Sequence, residues 1–146
     1  LVDDGIYEIE PIAAPGKRVD VQWGSKDAGA RVWLYSANGS AAQKWRVSRD
    51  AQGYTILTNV GSGKVLDVYG GSKLFGTKIT QQPANGTRAQ KWLIGVNFDD
   101  DHFMIRSALA LAPVLDVEGG RNANGAPLQI YGQNGSKAQE FRFIKQ

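Results

Sequence analysis

Three aspartates stand at equivalent positions in this chain of 146 residues, and an aromatic residue follows two of them at the same distance. Tyr35 comes 15 residues after Asp20, and Tyr131 comes 15 residues after Asp116. A carboxylate accepts charge-assisted hydrogen bonds, and a tyrosine ring offers flat apolar area, so the pair is typical of a binding site. A lone aspartate before a turn often bonds only its own backbone. Repetition of the pair in two places favours binding over that alternative.

The aspartates belong to a unit that the chain repeats three times. Asp20, Asp67 and Asp116 each precede, by 23 residues, the glutamine of a Gln-x-aromatic phrase. The phrases are Gln43-Lys44-Trp45, Gln90-Lys91-Trp92 and Gln139-Glu140-Phe141. Offsets of 47 and 49 residues separate the copies, and the two extra residues fall between Trp92 and Phe103, in a stretch that includes 97–101. The repeats therefore cover about 5–48, 49–95 and 96–146, with the insertion in a connection between copies.

Composition limits the classes of protein that the chain can form. A length of 146 residues, 42% hydrophobic content and 21% charged content predict one globular domain over residues 1–146. The net charge of +3 is small and its basic residues are scattered, which argues against nucleic acid as a partner. Cysteine is absent, so disulfides and thiolate metal sites are excluded. No run of residues is apolar for long enough to insert into a membrane.

Short apolar or alternating runs, separated by turn residues, predict four strands in each copy and about twelve in the chain. They lie near 6–9, 17–21, 31–35 and 43–47; near 53–58, 64–68, 77–81 and 90–94; and near 102–106, 113–117, 127–131 and 139–144. The segment 108–112 comes closest to a helical period but aligns with the turn 59–63, so we expect a turn there as well.

Alternation along a strand assigns each side chain to one of two faces. It predicts that Asp20, Asp67 and Asp116 point to an exposed face, while the valines and leucines beside them point inward. In the next strand of each copy, the inward positions are Val32, Leu34, Ile79, Gln81, Leu128 and Ile130, and the outward positions are Trp33, Tyr35, Thr80, Gln82, Gln129 and Tyr131.

Three such copies around an approximate threefold axis can close a barrel without exposed strand edges, which is the β-trefoil arrangement. Aromatic residues at equivalent positions are the natural core of that barrel. They are Trp45, Trp92 and Phe141, with Tyr7, Tyr54 and Phe103. The glutamine of each phrase is expected to be structural, because its amide can serve backbone groups beneath a turn.

Three Gln-x-aromatic phrases in register with three Asp-Val pairs and Asn-Gly turns resemble the ricin-type lectin domain, also called the family 13 carbohydrate-binding module. The resemblance covers essentially the whole chain. Phe141 departs from the family's tryptophan but keeps an aromatic side chain in the core. Because the chain has no cysteine, its closer likeness is to the cysteine-free bacterial branch.

The resemblance also implies a chemistry. A pyranose presents vicinal hydroxyls to a carboxylate and a C–H face to an aromatic ring, so neither a metal nor a cofactor is needed. The implied carbohydrate-binding residues are Asp20, Trp33, Tyr35 and Asn38 in the first copy, and Asp116, Gln129, Tyr131 and Asn134 in the third. The second copy keeps Asp67 and Asn85 but has Gln82 where the ring should stand, so its site is predicted to be weak.

Other residues leave alternatives open. The Asn that commonly precedes the family's Gln-x-Trp is Ala42, Ala89 or Ala138 here, so either nearby asparagines replace it or the specificity has moved away from simple galactose. Trp23 either extends the first site or covers a loop. The run Asp99-Asp100-Asp101 lacks the alternate spacing of a calcium loop and is interpreted as a solvated turn.

These observations favour a non-catalytic carbohydrate-binding protein. No nucleophile stands with a base, and the three aspartates repeat one position around an axis instead of forming a catalytic pair. The expected partners are glycans or polysaccharide, of galactose type or related. The resemblance further implies a targeting or adhesion module, joined to a catalytic or adhesive domain and secreted or displayed at the cell surface. The alternative is a structural or protein-binding trefoil whose sugar sites have degenerated.

Overall fold

Each copy of the repeat forms four short strands in the computed structural model, which describes residues 2–96 and 101–146. The strands are β1 Gly5–Pro11, β2 Lys17–Val21, β3 Val32–Ser36, β4 Trp45–Arg49, β5 Thr55–Asn59, β6 Val65–Val68, β7 Ile79–Gln82, β8 Trp92–Val96, β9 Phe103–Ser107, β10 Val114–Val117, β11 Leu128–Tyr131 and β12 Phe141–Lys145. The prediction of twelve strands is confirmed, and the segment 108–112 is a turn. Most of the inter-copy insertion, residues 97–100, lies outside the described residues.

Single-turn 3-10 helices connect the strands at equivalent places in the three copies. One follows each Asp-Val pair, at Gln22–Gly24, Tyr69–Gly71 and Glu118–Gly120, and one carries each repeated glutamine, at Ala41–Gln43, Arg88–Gln90 and Lys137–Gln139. Within the described residues, no helix has the length and apolar character needed to cross a membrane.

Six strands, the first and last of each copy, form a closed antiparallel ring. β1 pairs with β4 and β12, β5 pairs with β4 and β8, and β9 pairs with β8 and β12. The ring leaves no strand in it with an unpaired edge, which satisfies the backbone and blocks pairing with other chains. The predicted barrel is therefore confirmed.

The remaining strands form three hairpins, β2–β3, β6–β7 and β10–β11, that cap one end of the ring. The loop of each hairpin reaches the third strand of the neighbouring copy, where the amide of Gly29, Gly76 or Gly125 donates to a carbonyl at 2.7–2.8 Å. These glycines have φ between 83° and 91°, a conformation that other residues rarely adopt. Three hairpins joined in this way complete a β-trefoil.

The core lies inside the ring and beneath the hairpins, as the repeated aromatic residues predict. Trp45, Trp92 and Phe141 are fully buried, and Tyr7 and Phe103 are nearly so. The expectation for Tyr54 is wrong: this ring is only half-buried, because it lies at the surface with the Lys91 ammonium 5.6 Å from its centroid.

Two predictions about exposed faces are also wrong. Asp20, Asp67 and Asp116 are each only 5% exposed, because the 3-10 turn that carries the repeated glutamine packs over the outer face of each hairpin. Thr80 is 1% exposed, since the backbone of Arg31 from the first copy pairs beside it. Alternation along a strand correctly separates two faces, but it cannot show that loops cover the second one.

Candidate functional site

Three shallow clefts open at equivalent places beside the three hairpins. Their volumes are about 500, 480 and 540 Å³ in chain order. Each is bounded on one side by a turn from the following copy, which contributes Asn59 and Gly61 to the first cleft, Leu109 to the second and Ala13 to the third. The threefold repeat therefore builds three separate cavities.

The residues that the resemblance implies come together in their own clefts. The first is lined by Asp20, Trp33, Tyr35 and Asn38, the second by Asp67, Gln82 and Asn85, and the third by Asp116, Gln129, Tyr131 and Asn134. Each set combines side chains from two strands of one hairpin with an asparagine from the turn that follows.

The repeated glutamine holds the aspartate at the base of each cleft. Its side-chain amide donates to Oδ2 of that aspartate, at 2.8 Å for Gln43, 2.7 Å for Gln90 and 2.9 Å for Gln139. The same amide nitrogen donates to a backbone carbonyl, and the side-chain oxygen accepts from the backbone amide of the cleft asparagine. The glutamine is structural as predicted, and it also orients the carboxylate, which the sequence did not reveal.

The second carboxylate oxygen has a different partner in the first and third clefts. The Trp33 indole donates to Oδ1 of Asp20 at 2.9 Å, and the Gln129 amide donates to Oδ1 of Asp116 at 3.0 Å. Thr80 pairs in register with Asp67, but its hydroxyl has no hydrogen-bond partner within the described residues. The carboxylate is thus fixed at both oxygens in the first and third clefts.

Burial changes the acidity of two of these carboxyls. Desolvation raises the pKa of Asp20 above its ordinary value, against the opposing hydrogen bonds from Gln43 and Trp33. Desolvation likewise raises the pKa of Asp67, opposed by the bond from Gln90. In the ionised form each carboxylate keeps lone pairs beyond those used by these hydrogen bonds, and they are available to a hydroxyl donor that enters the cleft.

Aromatic rings flank the aspartate in two of the clefts. In the first, Tyr35 lies nearly parallel to Trp33, with ring centroids 5.7 Å apart and an interplanar angle of 23°. In the third, Tyr131 is 43% exposed and packs against Phe75 of the second copy, with ring centroids 5.4 Å apart and an interplanar angle of 37°. The second cleft has no aromatic residue among the described residues that line it.

Trp23 is a cleft residue whose role the sequence left open. It lines the first cleft and packs edge-on against Trp33 and Tyr35. Its backbone is left-handed, with φ of 57°, where the equivalent residues are Gly70 and Gly119. That conformation costs a non-glycine residue about 1 kcal/mol. The mismatch between one tryptophan and two glycines is a signal that aligned repeats could have supplied.

The cleft asparagines are partly committed to their own turns. Asn38 and Asn134 each accept, through Oδ1, a hydrogen bond of 3.0 Å from the backbone amide two residues later. Their side-chain NH₂ groups remain as donors toward the clefts. Ala42, Ala89 and Ala138 line the three clefts as well, so a methyl group stands wherever the family commonly has an amide.

Comparison with known proteins agrees with this geometry. The model of one protein family, described as ricin-type beta-trefoil lectin domain-like, matches residues 1–82 and 42–131. The chain belongs to this family. Among curated proteins, none matches the chain.

Solved structures similar to this ricin-type chain include a designed protein and natural ones. The designed threefold symmetric protein ThreeFoil is 31% identical, with a TM-score of 0.92 over 98% of this chain and 100% of its own. The exo-β-1,3-galactanase 1,3Gal43A from Clostridium thermocellum is 28% identical, with a TM-score of 0.90, and this chain spans 31% of its length. The Macrolepiota procera ricin B-like lectin, solved in complex with lactose, is 19% identical over 100% of this chain and 99% of its own, with a TM-score of 0.84, and shows likeness in fold.

Proposed function

We propose that this ricin-type domain binds carbohydrates of galactose or a related type, without catalysis, through its first and third clefts. One observation carries the proposal: in these two clefts a carboxylate held at both oxygens lies beside an aromatic ring. Asp20 with Tyr35 and Asp116 with Tyr131 supply the acceptor for adjacent hydroxyls and the apolar surface for a C–H face.

The relatives support the choice of sugar. The Macrolepiota procera lectin is solved with lactose, and the similar Clostridium thermocellum protein is named as a β-1,3-galactanase. Shallow sites of this kind bind one sugar at roughly millimolar dissociation constants, about 4 kcal/mol. Two clefts on one rigid trefoil then gain strength through avidity on a polysaccharide or a glycan-coated surface. That mode of action suits a targeting or adhesion module joined to a catalytic or adhesive domain, outside the cell.

A glycan array tests the function, and two substitutions test the site. Asp116→Ala and Tyr131→Ala should each remove binding at the third cleft while leaving the first cleft active. In a crystal soaked with galactose, N-acetylgalactosamine or lactose, sugar should occupy the first and third clefts. Binding at the third cleft that survived both substitutions would contradict its assignment.

A second candidate function is a protein-binding or structural trefoil with degenerate sugar sites. Ala42, Ala89 and Ala138 favour it, because a methyl group lines each cleft where an amide commonly stands. Gln82 in place of the ring favours it for the second cleft. Silence across a broad glycan panel, together with specific capture of a protein ligand, would support this reading over carbohydrate binding.

A further inference from the structure

Trp23 is a bulky residue at a position where the backbone conformation favours glycine. In all three copies the second residue after the Asp-Val pair has a left-handed backbone. Two copies have glycine there, Gly70 and Gly119, with φ of 63° and 67°. Trp23 adopts the same conformation, with φ of 57°. A side chain retained in spite of backbone strain indicates a compensating use for that side chain.

Core packing does not provide that use. The residue is 74% exposed, and the core of the protein does not include it. Its ring contacts only Trp33 and Tyr35 among the described aromatic residues, at centroid distances of 5.1 and 6.1 Å. These contacts orient the indole but leave most of its surface in solvent, as a preformed binding surface would require.

The orientation of the rings creates a corner. Trp33 and Tyr35 are nearly parallel, whereas Trp23 is inclined by 75° to one and 63° to the other. A single sugar that bonds Asp20 and stacks on Tyr35 fills one side of this corner. The inclined indole then lies beside the group that is attached to that sugar through its glycosidic bond. A flat apolar face matches it, and both a second pyranose and an aryl aglycone carry such a face.

We propose that Trp23 forms a second subsite in the first cleft, which holds the residue glycosidically linked to the sugar beside Asp20. The inference rests on the proposed function and goes beyond it, because it gives the two clefts different ligand preferences. The third cleft has Gly119 in place of the indole, and Tyr131 is the one aromatic residue among its described lining residues, with Phe75 packed against that ring outside the lining. The first cleft therefore prefers disaccharides or longer saccharides, while the third cleft binds a single sugar unit.

The four tryptophans make the first cleft observable by itself. Trp45 and Trp92 are buried in the core, Trp23 and Trp33 line the first cleft, and the described lining of the third cleft contains no tryptophan. Titrating ¹⁵N-labelled protein and following the indole N–H resonances thus gives a dissociation constant for the first cleft. The probes are methyl β-galactoside, lactose and phenyl β-galactoside.

Wild-type protein should bind lactose at the first cleft about five- to tenfold more tightly than methyl β-galactoside, the gain expected for one added stacking contact. Trp23→Gly should bring that ratio near one, with methyl β-galactoside within about twofold of wild type by the same reasoning. Trp23→Phe should retain part of the gain. Glycine occupies this position in the other copies, so the Trp23→Gly backbone fits the fold.

Leu111→Gly is the matched control, because Leu111 is also an exposed apolar residue with positive φ, of 70°, and does not line the first cleft. It should leave the ratio unchanged. A gain confined to phenyl β-galactoside would assign the subsite to an aryl aglycone instead of a second sugar. A lactose ratio that Trp23→Gly leaves intact, or an equal loss for every probe, overturns the subsite alone. If wild-type protein binds no saccharide, both proposals fall.

Discussion

The Gln139 side chain donates a hydrogen bond of 2.9 Å to Oδ2 of Asp116, and equivalent bonds join Gln43 to Asp20 and Gln90 to Asp67. The repeated phrase therefore connects the core to the clefts: its aromatic residue packs inside the barrel, and its glutamine positions the carboxylate outside. A buried amide with three hydrogen bonds fixes both the turn and the acid. The stability of the fold and the orientation of the carboxylate therefore depend on the same glutamine side chain.

Replacing this glutamine should separate its two roles. Gln90→Ala and Gln139→Ala each remove three hydrogen bonds around a buried aspartate, so each should lower the free energy of unfolding by about 2–4 kcal/mol. Only Gln139→Ala should also abolish saccharide binding at the third cleft. Denaturant unfolding measures the first effect, and ligand-induced shifts of the Asn134 backbone amide measure the second. Equal stability to wild type, or intact binding in Gln139→Ala, would contradict the dual role.

Acidification should weaken binding at the first cleft. Desolvation raises the pKa of Asp20, so its carboxylate takes up a proton at higher pH than the ordinary aspartate value of about 4. The protonated group loses acceptor capacity for sugar hydroxyls. Affinity followed by the indole resonances should fall as pH drops through that raised pKa.

Unfolding caused by protonation of Asp20 does not explain such a loss of affinity. Because the pKa of Asp20 is higher in the folded than in the unfolded state, the folded protein holds the proton to higher pH, and this carboxyl's contribution to the free energy of unfolding rises as pH falls through that window. Asp20 thus favours folding at the pH where binding is lost. Binding that stays constant down to the ordinary aspartate range would contradict the assignment of Asp20 as the acceptor.

Sequence patterns predicted the framework of the protein better than the details of its clefts. Period-two alternation and three aligned phrases were sufficient for the twelve strands and the trefoil, because strand pairing and core burial depend on local periodicity. The burial of Asp20 and Thr80 could not be read in this way. It results from turns and backbone segments distant in sequence that cover the outer face of each hairpin.

In the clefts, too, spacing along the chain predicted neighbours within one hairpin but not contacts between copies. The offset from aspartate to ring correctly grouped Asp116 with Tyr131, since residues on adjacent strands of a hairpin are neighbours. The packing of Tyr131 against Phe75 crosses from one copy to another and leaves no mark in the spacing. The left-handed backbone of Trp23 needed knowledge of φ, although the glycines at equivalent positions pointed to it.

The core tryptophans should matter for stability but not for binding. The Trp92 indole is fully buried and donates to the carbonyl of Leu66 at 3.2 Å. Trp92→Phe removes that donor and leaves a small cavity, so it should cost about 2–3 kcal/mol in the free energy of unfolding. Saccharide binding at the first cleft should remain unchanged. Phe141 already lacks the donor at the equivalent position, so unaltered stability in Trp92→Phe would show that the bond contributes little.

The second cleft should gain function when its missing groups are restored. Thr80 and Gln82 occupy the positions of Gln129 and Tyr131, so Thr80→Gln with Gln82→Tyr supplies both the donor that fixes Asp67 and the ring that stacks. The double variant should raise the number of saccharides bound per chain by one, at an affinity within about tenfold of the third cleft.

Thr80→Gln alone should add no site, because an amide cannot cover the C–H face of a sugar, and it therefore serves as the matched control. Isothermal titration in excess lactose, with Asp67→Ala placed in the double variant, measures the gain and assigns it. A folded double variant that binds no additional saccharide would show that a fixed carboxylate and a ring are not sufficient for binding.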